Sequence, residues 1–131
     1  IFGGPKELTA KACDVYKAVY NASCRFYQVS GLEAELIKLM ENTSIATTVT
    51  FCNTMYEICL KFGVDYNVVR EGYLLDPRMS RYFTFVYPDK RGFGGKCLPK
   101  DTNALVAASK AKGYTPEFLE AVLEVNKKWQ I

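Results

Sequence analysis

The feature that most constrains the fold is a long stretch, residues 32–62, that contains neither glycine nor proline, the residues that interrupt helices. As one helix, about 31 residues would span about 46 Å, more than a chain of this size can cover by itself. Gly63 follows directly and is a common residue just beyond a helix end. Two apolar series run along the helix at spacings of four and three: Ile45, Val49, Cys52, Tyr56 and Cys59, and Phe51, Met55, Ile58 and Phe62. This face is too wide for a surface helix, so we predict a homodimer along helix 32–62.

The remainder of the chain is also mostly helical in pattern. Helices are predicted for residues 5–22, 64–75, 101–112 and 116–131, with Asp65 capping the second and Asp101 or Thr102 the third. The first four residues resemble the end of a strand that has no evident partner in the chain, and residues 24–30 read as a short extended segment. Residues 76–99 hold three prolines and predict a long loop. The predicted class is therefore all-α, with one very long helix and one long loop.

Composition limits the function classes. The chain has 131 residues, a net charge of +3 and no run of 18 apolar residues, so we expect neither a nucleic-acid partner nor a membrane span. A basic stretch near the loop, residues 88–100, is interrupted by Asp89 and Asp101, which disfavours nucleic-acid binding further. Five cysteines without a CxxC pair, and no histidine, argue against a metal site and favour a reduced, cytoplasmic protein.

The sequence GFGGKCLPKD, residues 92–101, contains three glycines around Cys97. Two explanations fit this spacing equally well: a glycine turn that leads into a helix cap, or a loop that brings backbone close to a ligand beside a nucleophile. The second is favoured by the cations near the cysteine in sequence, because cations and a helix start both stabilise a thiolate. Those cations are Lys90, Arg91, Lys96 and Lys100. Asp101 would lie close to Cys97 if the intervening residues make one helical turn.

Two further patterns are weak by themselves. In ELIKLMEN, residues 35–42, Lys38 and Asn42 are four residues apart and would share one helix face, although an ordinary solvated face explains them as well. In DPRM, residues 76–79, Arg78 opens the long loop.

Taken together, ELIKLMEN, TVTFCN, FGVD, DPRM, GFGGKCLPKDTNAL and VLEVN resemble, in order and spacing, the UDP-glucose/GDP-mannose dehydrogenase family. The resemblance covers nearly the whole chain but only the central part of the family's enzymes, which begin with a Rossmann domain that binds NAD. No GxGxxG follows a strand in this chain. The resemblance implies that residues 1–4 end the last strand of that domain. Residues 5–131 would form the central dimerisation domain, similar to the C-terminal domain of 6-phosphogluconate dehydrogenase.

The resemblance also implies a chemistry. The family oxidises the C6 alcohol of a nucleotide sugar to a carboxylate with two NAD in succession. By this resemblance Cys97 captures the intermediate aldehyde as a thiohemiacetal, which is oxidised to a thioester and hydrolysed. Lys38 and Asn42 would hold the substrate oxygen and the catalytic water, and Asp101 would orient that water and accept its proton.

The resemblance further assigns residues to the substrate: Gly92, Phe93, Gly94, Gly95, Lys100 and Arg78, the last reaching the neighbouring subunit's site in a dimer. GFGGKCLPKDT leans towards UDP-glucose, with GDP-mannose as the alternative sugar nucleotide. Two departures are Asn53-Thr54, where the family commonly has Asn-Glu, and a longer loop between Arg78 and Gly92. With NAD bound by a domain absent from the chain, we expect the isolated chain to be inactive. The remaining alternative is a non-catalytic helical dimerisation module that retains the motif.

Overall fold

A computed structural model describes residues 1–20 and 24–129, and its contacts divide the chain into two units, residues 1–41 and 42–131. The first unit contains strand β1 (Phe2–Gly3), helix α1 (Lys6–Lys17) and strand β2 (Gln28–Val29). β1 pairs in parallel with β2, which supplies the strand partner that sequence reasoning did not find. The predicted first helix ends earlier than expected, and its last two positions, 21 and 22, lie outside the described residues.

Helix α2 (Gly31–Phe62) confirms the predicted long helix, and both of its ends carry recognisable caps. At the start, the Ser30 hydroxyl accepts from the Glu33 amide at 3.3 Å, and the Glu33 carboxylate accepts from the Ser30 amide at 2.7 Å. This reciprocal pair satisfies two amides that lack helical partners, and the hydrogen bond from the Ser30 amide lowers the pKa of Glu33. At the end, Gly63 adopts a φ of 68°, and the Val64 amide donates to the Cys59 carbonyl at 3.0 Å.

The middle of α2 is rich in threonine, a residue that ordinarily disfavours helices. Here the hydroxyls of Thr47, Thr48, Thr50 and Thr54 each donate to the carbonyl four residues earlier, at 2.9 to 3.0 Å. These bonds allow Thr50, which is buried, to lie in the helix without an unsatisfied hydroxyl. The helix therefore continues through a polar segment that sequence propensity alone does not favour.

The second unit adds three helices within the described residues: α3 (Tyr66–Tyr73), α4 (Cys97–Ala111) and α5 (Glu117–Lys127). The Asp65 side chain caps α3 as predicted, by accepting from the Asn67 amide at 2.8 Å. The predicted start of α4 at residue 101 is wrong, because the helix begins at Cys97. Pro99 occupies its first turn, where a backbone amide would have no helical acceptor and proline is tolerated. The last helix was predicted to reach residue 131, but residues 130 and 131 lie outside the described part of the chain.

Two clusters of buried apolar side chains form the core of the second unit. One contains Ala46, Phe93 and Val122, and the other contains Cys52, Cys59 and Tyr66. Cys52 and Cys59, two members of the apolar series of α2, are buried, and burial raises the pKa of the Cys52 thiol. Phe93 comes from the glycine loop, so the loop is packed into the core by its own aromatic residue.

The long loop between α3 and α4 is held at Thr84, which is buried. The Tyr66 hydroxyl donates to the Thr84 carbonyl at 2.7 Å, and Arg70 Nε donates to the Thr84 hydroxyl at 2.9 Å. The Arg70 guanidinium also lies 3.7 Å from the centre of the Phe85 ring. These contacts fix the middle of the loop on α3. Among the described helices, none has both the length and the apolar character needed to cross a membrane.

We predict that Tyr66→Phe destabilises the chain by about 1–2 kcal/mol, because it leaves the buried Thr84 carbonyl without its donor. The measurement is the free energy of unfolding from urea denaturation. Tyr82→Phe is the matched control, since Tyr82 is 79% exposed. An equal loss in the two variants would contradict this account of the loop.

Candidate active site

Cys97 is the first residue of α4, and its side chain is exposed. Backbone amides of a first helical turn lack helical acceptors and carry partial positive charge, which stabilises negative charge on a nearby sulfur atom. The helix start that sequence reasoning placed four residues later coincides with the thiol itself.

Asp101 lies one helical turn after Cys97, with its carboxylate buried. Asn42 of α2 donates its side-chain amide to Oδ2 of Asp101, and Lys100 Nζ lies 3.0 Å from Oδ1. The hydrogen bond to Asp101, followed by the charges of Asp101 and then Cys97, raises the pKa of Lys100. A carboxylate, an amide and an ammonium group therefore meet beside the turn that carries the thiol.

The sequence-predicted pair Lys38 and Asn42 divides between the two units. Asn42 is buried against Asp101, whereas Lys38 is exposed in the first unit, four residues earlier in α2. The structure thus brings together three of the four predicted catalytic residues, Cys97, Asn42 and Asp101, within the second unit. The role of Lys38 stays a prediction.

The glycine loop is anchored at its beginning and open at its end. Asn126 of α5 pairs with both backbone groups of Phe93, accepting from its amide and donating to its carbonyl at 2.8 Å each. Gly92 has a φ of 71°, and a Cβ atom there would overlap with Oδ1 of Asn126. Gly94 and Gly95 are exposed, and Gly95 has a φ of 75°. Four loop residues were assigned to the substrate, but the side chain of one of them, Phe93, is buried in the core.

Arg91 was counted in the sequence among the cations around Cys97, and the structure places it elsewhere. Its Nε donates to Oδ1 of Asn53 at 2.6 Å, and its Nη1 lies 2.9 Å from the Glu57 carboxylate. Asn53 also accepts from the Gly92 amide at 3.2 Å. Sequence reasoning gave no role to Asn53 or Asn126. The signal available was an asparagine within an otherwise apolar helix face, which must find hydrogen bonds if it is buried.

Arg78 lies in the long loop, where it pairs with Asp76 through Nη2 and Oδ2 at 2.6 Å. The pair lowers the pKa of Asp76. The guanidinium is 80% exposed and lines an open cavity of about 770 Å³ together with Ser44 of α2 and Tyr82. Arg78 is therefore accessible to another molecule.

Residues 32–128 match the model of the central domain of the UDP-glucose/GDP-mannose dehydrogenase family. The chain belongs to this family. The match extends from the first turns of α2 to the end of α5 and so includes the glycine loop, Cys97 and Asp101.

Three individual relatives agree with this assignment. The chain is 41% identical over 98 residues to UDP-glucose 6-dehydrogenase TuaD of Bacillus subtilis, covering 75% of this chain and 21% of that protein. It is 42% identical over 94 residues to UDP-glucose 6-dehydrogenase AglM of Haloferax volcanii, covering 72% and 21% respectively. The structure of a UDP-glucose dehydrogenase from Pyrobaculum islandicum superposes with a TM-score of 0.84 at 33% identity, over 95% of this chain and 28% of that one. The chain thus spans about a fifth of the length of these curated relatives.

We predict that Gly92→Ala destabilises the chain by about 2–4 kcal/mol, because both the left-handed backbone and the overlap with Asn126 oppose a Cβ atom. Gly95→Ala is the matched control: its φ is equally positive, but its added Cβ meets nothing within 4 Å among the described residues. It should cost only about 1 kcal/mol. Urea denaturation of the two variants measures the difference, and equal losses would show that contact with Asn126 does not restrict residue 92.

Proposed function

We propose that this chain provides the thiol site of an enzyme that oxidises C6 of UDP-glucose from an alcohol to a carboxylate. The observation that carries the proposal is the exposed Cys97 sulfur at the start of α4, one turn before the buried carboxylate of Asp101. An oxidation by four electrons that releases no aldehyde needs a covalent holder, and a thiolate is the strongest nucleophile in the chain. Because the sequence contains no histidine, lysine and carboxylate groups handle the protons.

The covalent step follows the first oxidation. The Cys97 thiolate attacks C6 of the aldehyde, a C–S bond forms, and the carbonyl oxygen becomes an oxyanion that takes up a proton. An ammonium group stabilises that oxyanion, a role that we assign to Lys38 on the basis of the family resemblance. The hydroxyl then gives its proton back while C6 loses a second hydride, with NAD as the oxidant, and the thiohemiacetal becomes a thioester.

Hydrolysis completes the reaction. A water molecule attacks the thioester carbonyl, the C–S bond breaks, and the Cys97 thiolate leaves; the carboxylic acid that forms releases its proton to solvent and becomes the carboxylate. Asp101 accepts a proton from the water, and its hydrogen bond from Asn42 keeps its carboxylate in one orientation. We assign the exposed amides of Gly94 and Gly95, together with Lys100, to the sugar, and Arg78 to the neighbouring subunit's site.

Members of this family pass the hydrides to NAD, and the turn that joins β1 to α1 does not fit this cofactor. The turn between β1 and α1 reads Gly3-Gly4-Pro5, which lacks the glycine spacing that cradles a pyrophosphate. We therefore derive no step from the dinucleotide site and propose that another part of the enzyme holds it.

The proposal predicts that Cys97 reacts faster than Cys24, the other exposed cysteine, with limiting iodoacetamide at neutral pH. UDP-glucose should slow the labelling of Cys97 only. In a separate assay, the chain incubated with UDP-glucose and NAD should make no NADH. Mass spectrometry quantifies labelling at each cysteine.

Two lysines of α4 give a matched comparison for this test. Lys100→Met should slow the labelling of Cys97 severalfold, because it removes the cation of the first turn. Lys110→Met, in the last turn, should leave it unchanged. The proposal fails if Cys97 labels no faster than Cys24, or if UDP-glucose has no effect on it.

We also propose that the chain forms a homodimer through α2. Phe51, Ile58 and Phe62 fall on one stripe of the helix and are 52%, 41% and 78% exposed. Exposed apolar residues that recur along one helix face are typical of an interface.

Sedimentation at micromolar concentration should therefore give about twice the 14.8 kDa mass of the chain. The double variant Phe51→Glu, Ile58→Glu should shift it to the monomer mass, because charges would be buried at the interface. Leu75→Glu, at a site that is 84% exposed outside α2, is the control. A wild-type chain that sediments as a monomer would contradict the dimer.

A further inference from the structure

We propose that Arg91 is a positioning residue, which fixes the entry of the glycine loop on α2 so that Gly94 and Gly95 are presented to the sugar. This inference rests on the proposed function and adds a residue to which neither the family motif nor the comparisons give a role. Arg91 immediately precedes the glycines in sequence, yet its side chain bonds to α2.

The Arg91 guanidinium uses each of its nitrogen atoms on one turn of α2. Nε donates to the Asn53 side chain at 2.6 Å, Nη2 donates to the Asn53 carbonyl at 3.0 Å, and Nη1 pairs with Glu57 at 2.9 Å. The rings of Tyr56 and Trp129 lie 4.4 and 5.4 Å from its central carbon. With only 13% of its side chain exposed, Arg91 is held by α2 and by Trp129, which follows α5, and is not presented to solvent as a ligand.

The acceptor on α2 is itself fixed. Asn53 is 2% exposed, and its Nδ2 donates to the Val49 carbonyl at 2.9 Å, which orients Oδ1 towards the loop. That single oxygen accepts from both Arg91 Nε and the Gly92 amide. Two successive residues are thereby held at one point, and Asn126 holds Phe93, the next residue.

The bonds made by residues 91–93 determine how the two exposed glycines that follow are placed. Residues 91–93 are bound to α2 and α5, whereas Gly94 and Gly95 are exposed and lack this direct attachment to Asn53. The path of those two glycines is therefore set by the fixed residues before them and by α4 after them. An open cavity of about 600 Å³ lies against this segment, lined by residues 89–95, Pro99 and Trp129. A loop released at residue 91 would change the shape of that cavity without disturbing Cys97, because α4 is held separately by Asn42 and Asp101.

The geometry demands a fork of donors, which arginine has and lysine lacks. Arg91→Lys keeps the charge opposite Glu57 but cannot make both bonds to Asn53. It should therefore loosen the entry of the glycine loop as much as Arg91→Gln does. Glu57→Gln removes the ion pair but leaves the bonds to Asn53, so it should loosen the entry of the glycine loop much less. Arg81→Gln is the control, since Arg81 forms a comparable but exposed pair with Glu71 at 2.8 Å.

The first readout is hydrogen exchange of the Gly92 amide in the 131-residue chain. The exchange rate of this amide should rise about tenfold or more in Arg91→Gln and Arg91→Lys, because a charged donor is lost from a buried network. The Val106 amide within α4 should not change. Unchanged exchange at Gly92 in Arg91→Gln overturns the proposal, and so does an equal acceleration in Glu57→Gln.

The second readout separates positioning from stability and uses UDP-glucose as the probe. In Arg91→Gln, Cys97 should label with iodoacetamide at the wild-type rate without ligand, but UDP-glucose should no longer slow it. The buried Cys52 and Cys59 report unfolding; if they label in parallel with the loss of protection, Arg91 is only structural and the proposal is overturned. Protection by UDP-glucose that equals the wild type overturns it as well. A wild-type chain without any protection overturns the proposed function itself, a result visible before any variant is made.

Discussion

The need of buried amide groups for hydrogen bonds organises the second unit. Asn42, Asn53 and Asn126 are each less than a tenth exposed, and each side chain bonds to a segment that has no regular structure or that carries a site residue. Asn42 holds the carboxylate of Asp101, Asn53 holds the entry of the glycine loop, and Asn126 holds Phe93. Removing any one would take a hydrogen bond away from its partner group, and a buried group that loses a hydrogen bond costs more than that bond contributes. Three asparagines on two helices thus decide where the loop runs.

Helix α2 can serve as the common support because several of its hydroxyls and both of its ends are satisfied by local hydrogen bonds. Its threonine hydroxyls return to the carbonyls one turn earlier, and its ends are capped by Ser30 and Glu33 and by Gly63. Asn42 and Asn53 are eleven positions apart, or about 16 Å along the axis. A rigid helix therefore keeps a fixed separation between the point that holds α4 and the point that holds the loop. This separation matters for chemistry, since a thiol and its substrate contacts must keep one geometry.

The cationic side chains near the glycine loop have two different roles. Lys100 lies beside Asp101 and close enough to Cys97 for its pKa to respond to the sulfur, so its charge belongs to the thiol turn. Arg91 carries the same charge only a few residues earlier, yet Glu57 and Tyr56 of α2 and the ring of Trp129 hold it in place. Arginine suits that task because its donors are fixed in a plane, whereas the ammonium of lysine is a mobile point charge. Neighbouring cations in a sequence therefore need not share a function.

The sequence by itself determined the features that depend on local patterns. The absence of glycine and proline over residues 32–62 and the glycine at 63 defined α2, Asp65 defined the start of α3, and the motif around Cys97 defined the family. Only the tertiary structure decided where groups distant in sequence meet. Proline in a first turn is compatible with both loop and helix, so Pro99 concealed the start of α4 at Cys97. The loop partners of Asn53 and Asn126 lie 33 to 39 residues away, and sequence spacing carries no information about which buried donor reaches which acceptor.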